Sequence, residues 1–110
     1  MKEASCKCFS EHVAVEGIEF LRTDDPVSAA RDQGNGSYII TPLHAVIGIP
    51  TADRSKNHTA GFAKAAGTAI AYDRTIISAK AMAITGWDFL TDGMFYTQVK
   101  DHFDWDHNVR

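Results

Sequence analysis

The chain has 110 residues, of which 45% are hydrophobic and 23% are charged, and its formal net charge is -3. That length allows one domain with one core, and the apolar content argues against a disordered chain. Lysine and arginine are scattered, and no apolar run reaches the roughly 18 to 20 residues of a membrane span. The composition therefore predicts a cytoplasmic protein whose partners are neither nucleic acid nor a membrane.

The first segment contains both cysteines and an ambiguous apolar stretch. Cys6 and Cys8 are one residue apart, too close for an easy mutual disulfide, so we expect unpaired, solvent-facing thiols, with a metal or redox role as the alternative. Residues 11–22 form either one helix or a helix that ends at Gly17 and is followed by a strand-like IEFL stretch. Residues 23–36 are rich in Asp, Pro, Gly and Asn and are predicted to form a loop.

The middle of the chain has two short apolar, partly β-branched runs, at residues 37–41 and 44–49. Pro42 separates the runs and Pro50 closes the second one. Such runs between turn signals are typical of buried strands. The polar residues 51–58 then predict a loop.

The Ala-rich stretch up to Asp92 gives the clearest prediction. Apolar residues recur in two rows at helical spacing, which predicts a long helix. The first row contains Ile76, Ala79, Ala83, Trp87 and Leu90, and the second contains Ile77, Ala81 and Ile84. So many alanines allow neighbouring elements to approach closely, so we expect the helix to pack on a sheet or another helix. Residues 93–103 predict a shorter amphipathic helix, and residues 104–110 a frayed tail.

Chemistry-bearing residues are numerous but poorly spaced when considered alone. The sequence contains no H-E-x-x-H, no paired C-x-x-C and no Gly-rich phosphate loop. The acidic and histidine-containing cluster near the C-terminus is predicted to be a solvated tail. Its members are Asp101, His102, Asp104, Asp106 and His107. His58 is a loop histidine, more often a surface residue or a cap than a metal ligand, and Asp32, Gly34 and Asn35 are first of all turn formers.

Three ordered motifs nevertheless resemble a known family. They are ARDQGNGSYIITPLHAVIGIP, NHTAGFAKAAGT and ISAKAMAITGWDFLTD. They are similar to the closing third of the aminoacylase and carboxypeptidase type of zinc metallopeptidases, peptidase family M20, and most of all to its amidohydrolase branch and a branch of Xaa-Arg type dipeptidases. The match covers residues 30–103, with a weak lead-in at residues 1–29 and a tail at residues 104–110.

The resemblance implies an α/β fold, namely the C-terminal portion of a zinc-peptidase catalytic domain with two buried strands, a long Ala-rich helix and no lid domain. It implies that His58, in N-H-T, is a zinc ligand, and that Asp32, Gly34, Asn35 and His44 face the substrate. That substrate is a dipeptide or an N-acyl amino acid. Ala30, Arg31 and Gly36 depart from the family's S-T-D-x-G-N-V-S turn. His44 lacks the proline that follows it in the family, so a packed, hydrogen-bonded strand histidine is the alternative to a substrate contact.

The other metal ligands and the general base of such enzymes have no match here. A catalytic zinc ordinarily takes three protein ligands, so we expect a fragment that is inactive alone and that exposes strand edges and an apolar helix face. Two alternatives remain open. One is a non-catalytic module that pairs with a full-length relative, and the other is an independent metal-binding protein that uses Cys6, Cys8 and the C-terminal histidines.

Overall fold

The computed structural model describes residues 3–19, 33–36 and 38–109. In chain order its elements are α1 (Glu3–Val15), α2 (Gln33–Gly36), a 3-10 turn (Ala52–Arg54), α3 (Ala60–Ala66), α4 (Ala69–Thr91) and α5 (Gly93–Val109). No strand occurs within these ranges. The predicted α/β fold is therefore wrong, and the described part of the chain is helical.

The segment predicted to form two strands forms a turn at residues 38–40 instead. Residues 41–50 follow without any strand among the described residues to pair with, and we call them the unpaired stretch. The amides of Ile39 and Ile40 both bond to the carbonyl oxygen of Gly36 at 3.0 Å, and residues 41–50 have no regular secondary structure. A strand requires a neighbour to pair with its backbone groups, and β-branched composition supplies no such neighbour. Residue 37 lies outside the described part.

Helix α1 begins earlier than predicted and includes both cysteines. Its last residue is Val15, and the chain leaves it through Gly17, which has a φ of 77° and so occupies the left-handed region that favours glycine. The Gly17 amide donates a hydrogen bond to the carbonyl oxygen of Ala14 at 3.0 Å, and the Ile18 amide donates to the carbonyl oxygen of Val13 at 3.2 Å. This pair of hydrogen bonds is a Schellman motif. Of the two predicted alternatives, the helix that stops at Gly17 is confirmed to within two residues, but its strand-like continuation is not. Ile18 and Glu19 form no strand, and residues 20–22 lie outside the described part.

The two predicted C-terminal helices are both present. Helix α4 starts after Thr68, whose hydroxyl accepts a hydrogen bond from the Ala71 amide at 3.3 Å. Its last residue is separated from α5 by Asp92 alone, and the Asp92 carboxylate accepts from the Met94 and Phe95 amides at 3.0 and 3.2 Å. This cap supports the start of α5. Residues 104–109, predicted to fray, continue that helix.

The core lies where α1, α4 and α5 contact one another. Phe9, Val13 and Ala81 are each about 2% exposed and pack together. The partly buried Leu43 and Ala45 of the unpaired stretch pack against them, so this segment covers the core without pairing as a strand. On α4 the buried residues are Ala71, Ala81 and Thr85.

The first apolar row of α4 faces outward. Ile76 is 42% exposed, Trp87 66% and Leu90 79%, and Ile84 from the second row is 42% exposed. We call these four residues the outer face of α4. Among the described residues, no helix combines the length and apolar character that crossing a membrane requires.

The close packing of α1 on α4 gives a testable expectation. Ala81→Leu should lower the free energy of unfolding by about 1 to 3 kcal/mol, because the added methylenes must displace Phe9 or Val13 in a packed core. Ala83→Leu adds the same group at an exposed position of the same helix and should have little effect. Urea unfolding followed by circular dichroism compares them, and equal losses for both variants would contradict this packing.

Candidate functional site

His58, the predicted metal ligand, lies in the loop between the 3-10 turn and α3. Its side chain is exposed and its φ is 64°, in the left-handed region. The next residue, Thr59, is the N-cap of α3, and its hydroxyl accepts a hydrogen bond from the Phe62 amide at 3.2 Å. The capped helix therefore fixes the chain immediately after the imidazole.

The predicted substrate-facing residues are dispersed. Asp32 lies outside the described part. Gly34 and Asn35 belong to the single turn α2, where Asn35 is exposed, and His44 is an exposed residue of the unpaired stretch. In the ranges that the structure describes, no hydrogen bond or ion pair joins His58 to Asn35 or His44. Whether these residues face a substrate stays a prediction.

The described residues do not supply a catalytic zinc site around His58. Within those ranges, His58 is not part of any group of three potential metal ligands. A catalytic zinc takes three protein ligands, so one exposed imidazole does not fit that role alone.

A different set of chemistry-bearing side chains does come together, between α1 and α4. The Nε2 atom of His12 lies 2.8 Å from Oδ2 of Asp88, and the Cys8 thiol donates to the same oxygen at 3.5 Å. The potential ligand atoms of the three residues lie within 4.8 Å of one another, and all three residues are partly buried. We call Cys8, His12 and Asp88 the interhelical cluster.

The arrangement of this cluster, with the Asp88 carboxylate between the thiol and the imidazole, argues against a nucleophilic cysteine. Burial, followed by the hydrogen bond to Asp88, raises the pKa of the Cys8 thiol, so the reactive thiolate is disfavoured. An activated cysteine needs a base on the thiol with a third group orienting that base. Here the carboxylate contacts both the thiol and the imidazole, so the thiol is kept protonated.

Sequence reasoning missed this cluster. His12 and Asp88 are 76 positions apart, and neither stands in a recognised motif. One signal was available, since Cys8 and His12 are at i and i+4 and share a face once α1 is extended back to Glu3.

The residues of the C-terminal charged cluster are part of helix α5. His102 and Asp104 are exposed, and Asp104 pairs with Lys100 at 3.5 Å. His107 contacts the carbonyl oxygen of Tyr38 and lies edge-on to Phe103. Where the structure describes the chain, neither His102 nor His107 joins a cysteine in a potential metal group. The alternative of a site built from Cys6, Cys8 and these histidines is thus unsupported.

Comparison with known proteins shows that this chain is similar to part of two mammalian Xaa-Arg dipeptidases. The chain is 30% identical over 101 residues to the Xaa-Arg dipeptidase of Mus musculus and 29% identical over 100 residues to that of Homo sapiens. These alignments cover 89% and 88% of this chain but only 23% and 22% of the relatives. The similarity supports a dipeptidase-related chain.

The chain spans about a quarter of the length of the curated relatives it matches. No family model matches it. No solved structure matches it either.

Replacing His58 separates the role of its side chain from that of its backbone. His58→Gly should change the free energy of unfolding by less than about 1 kcal/mol, because relief of the left-handed conformation offsets the added chain entropy of glycine. His58→Val should destabilise the chain more, since a β-branched residue is strained at this φ. Thermal unfolding of the two variants tests this, and a larger loss for His58→Gly would contradict it.

The raised pKa of Cys8 predicts slow alkylation. In a Cys6→Ser background, where Cys8 is the only thiol, the reaction with iodoacetamide at neutral pH should be slow because little thiolate is present. Asp88→Asn removes the charge that disfavours the thiolate, so the rate should rise. A rate that falls or stays constant would contradict this arrangement.

Proposed function

We propose that this chain supplies one part of a zinc-dependent amidohydrolase of the aminoacylase and carboxypeptidase type, peptidase family M20, located in the cytoplasm. The complete enzyme would hydrolyse the amide bond of dipeptides or N-acyl amino acids, and the chain alone would be inactive. The observation that carries the proposal is the 30% identity to an Xaa-Arg dipeptidase over 89% of this chain, combined with coverage of 23% of that protein.

The geometry around His58 supports its role as one metal ligand of that enzyme. The imidazole is exposed, and its backbone is held in the left-handed region directly before the capped α3. Non-glycine residues in that region cost free energy and cluster at functional sites. Because the described residues place no further pair of ligands beside His58, the other ligands and the general base would come from another part of the enzyme.

The exposure of Asn35 and His44 supports their proposed role as substrate contacts. Asn35 and His44 are exposed and so are accessible to a substrate in the assembled enzyme. Gly34 belongs to the same short helix α2 as Asn35. Asp32, which lies outside the described residues, is proposed as a contact from the resemblance alone. The polar side chains of Asp32, Asn35 and His44 would orient a dipeptide or an N-acyl amino acid by hydrogen bonds, and Gly34 would allow close approach of the backbone.

An activity assay tests the proposal directly. The purified chain, supplied with zinc, is incubated with an Xaa-Arg dipeptide and with an N-acetyl amino acid, and release of the amino acid is measured. No hydrolysis above zinc alone is expected. Hydrolysis that disappears in His58→Gly would overturn the inactivity of the isolated chain.

The gene itself provides a second test. The genomic sequence immediately upstream of Met1 is translated in the same frame and searched for the missing ligands and lid. If they are found, the joined protein should hydrolyse the same substrates and lose that activity in His58→Gly. An active joined protein that tolerates His58→Gly would exclude His58 as a ligand.

The outer face of α4 favours a second candidate function, a non-catalytic module that pairs with a full-length relative. Trp87 and Leu90 are mostly exposed although they are among the largest apolar side chains of the helix. Exposed apolar patches of this kind mark interaction surfaces. The expected result is co-purification with a full-length dipeptidase from the same cell, lost in a Trp87→Glu and Leu90→Lys double variant. A soluble monomer that captures no such relative would count against it.

A further inference from the structure

We propose that the interhelical cluster of Cys8, His12 and Asp88 is a binding site for one zinc ion, which joins α1 to α4. This site goes beyond the proposed function and does not depend on it, since His58 is not among its ligands. These three protein ligands would leave the fourth position of a tetrahedral ion to a water molecule.

The donor set matches zinc. Thiolate, imidazole and carboxylate are its three common protein ligands, and zinc binds them in tetrahedral geometry. A sulfur and a nitrogen ligand disfavour magnesium and calcium, which prefer oxygen alone. Two carboxylates, those of Asp88 and Glu11, act on the Cys8 thiol and make this region favourable for a cation.

Two of the three distances between ligand atoms also fit after a small adjustment, and the third, between Cys8 and His12, is no longer than 4.8 Å. Tetrahedral zinc at normal bond lengths places its ligand atoms about 3.3 to 3.6 Å apart. The Cys8 and Asp88 atoms are already 3.5 Å apart, while His12 and Asp88 are 2.8 Å apart because a proton lies between them. The ion would replace that proton and separate the pair by about half an ångström. On binding, the Nε2 proton of His12 would move to Nδ1 through solvent, and the thiol proton of Cys8 would be released to solvent.

Helices α1 and α4 hold these three residues close together in the absence of an ion. Cys8 and His12 are one turn apart on α1, and Asp88 is on the rigid α4, so no loop must fold to assemble the site. The adjacent Phe9 is buried in the core and fixes the rotation of α1. Because Cys8 and Asp88 are 80 positions apart, the ion would close a long loop. Small domains with a limited core often use a metal in this way.

Cobalt titration of the full chain tests the proposal. Co²⁺ adopts the zinc geometry, and a thiolate ligand gives it an intense charge-transfer absorption. We expect one equivalent of Co²⁺ to produce this band and one equivalent of Zn²⁺ to remove it. Cys8→Ser should abolish the band, and His12→Ala should weaken metal binding at least ten-fold, since loss of even an outer partner costs about ten-fold or more.

Two matched controls define the site. Cys6→Ser removes the other thiol of α1, and His58→Gly removes the histidine on which the proposed enzyme function depends. Both variants should keep the band and its stoichiometry. Absence of the band in the unmodified chain, persistence in Cys8→Ser, or loss in Cys6→Ser would overturn the proposal. Loss of the band in His58→Gly would overturn it too, because the ion would then be at His58.

A second measurement does not rely on the folding of the cluster variants. In the Cys6→Ser background the only thiol is Cys8, so its alkylation rate reports directly on metal ligation. Saturating Zn²⁺ should slow the reaction with iodoacetamide at least about ten-fold, because a metal-bound thiolate is protected. An unchanged rate in the presence of Zn²⁺ would overturn the proposal.

Discussion

Phe9→Ala is expected to lower the free energy of unfolding by about 3 to 5 kcal/mol. Phe9 is the largest fully buried side chain in the described residues, and it contacts Val13 and Ala81 where α1 packs on α4. Its removal leaves a cavity that the close helices cannot fill. A chain of this length has roughly 5 to 15 kcal/mol of stability in total, so the variant should be unfolded at a much lower urea concentration.

The same helix provides the control for this substitution. Val15 is 84% exposed, so Val15→Ala should change the free energy of unfolding by no more than about 0.5 kcal/mol. Urea titrations followed by circular dichroism give both values. If the two variants lose equal stability, α1 does not dock through Phe9, and the interhelical cluster is not held as described.

Val99→Asp is expected to detach α5, at a cost of about 3 to 5 kcal/mol. Val99 is 3% exposed and is the buried residue of that helix. It lines a mainly apolar pocket of about 290 Å³ together with Phe89 and Phe95. An aspartate there would be a buried charge without a cationic partner, and the helix would have to leave to hydrate it.

Val109→Asp is the corresponding control, because Val109 is 64% exposed on the same helix. It should leave stability nearly unchanged. Hydrogen exchange of the α5 amides separates the two variants, since only the buried substitution should remove protection. Retention of α5 protection in Val99→Asp would contradict the packing of this helix.

The helices were the predictable part of the fold. The spacing of Phe95 and Val99 correctly predicted α5, and the rows of apolar residues correctly predicted α4. The periodicity did not show which row faces inward. Ala81, a small residue, is buried because α1 approaches there, while the larger Trp87 faces outward. Burial thus follows the position of the neighbouring helix, which the α4 sequence does not contain.

The predicted strands failed for a related reason. Residues 38–49 are rich in β-branched side chains, but β propensity mainly reflects how well a side chain fits a pleated surface with neighbours. In the described part of the chain no second strand pairs with them, and Pro42 and Pro50 lack amide donors. The resemblance to a larger α/β enzyme carried the same expectation, and the structure does not support it.

Local spacing indicates only the Cys8 and His12 half of the interhelical cluster, and the contact with Asp88 depends on tertiary structure. His12 and Asp88 meet only because α1 docks on α4, and the sequence between them gives no indication of that contact. His58, in contrast, stands in the recognisable N-H-T motif. Its role as a zinc ligand remains a prediction, because the structure offers it no partner ligands in the described residues.

The one-residue joint at Asp92 has a consequence for the order of folding. It ends α4 and caps α5, and the aromatic rings of Phe89 and Tyr96 meet across it with centroids 5.1 Å apart. Contacts between neighbours in sequence close short loops and form quickly, whereas docking α1 must close a loop of 76 residues. We therefore expect the α4–α5 pair to assemble first and to serve as the template on which the N-terminal helix completes the fold.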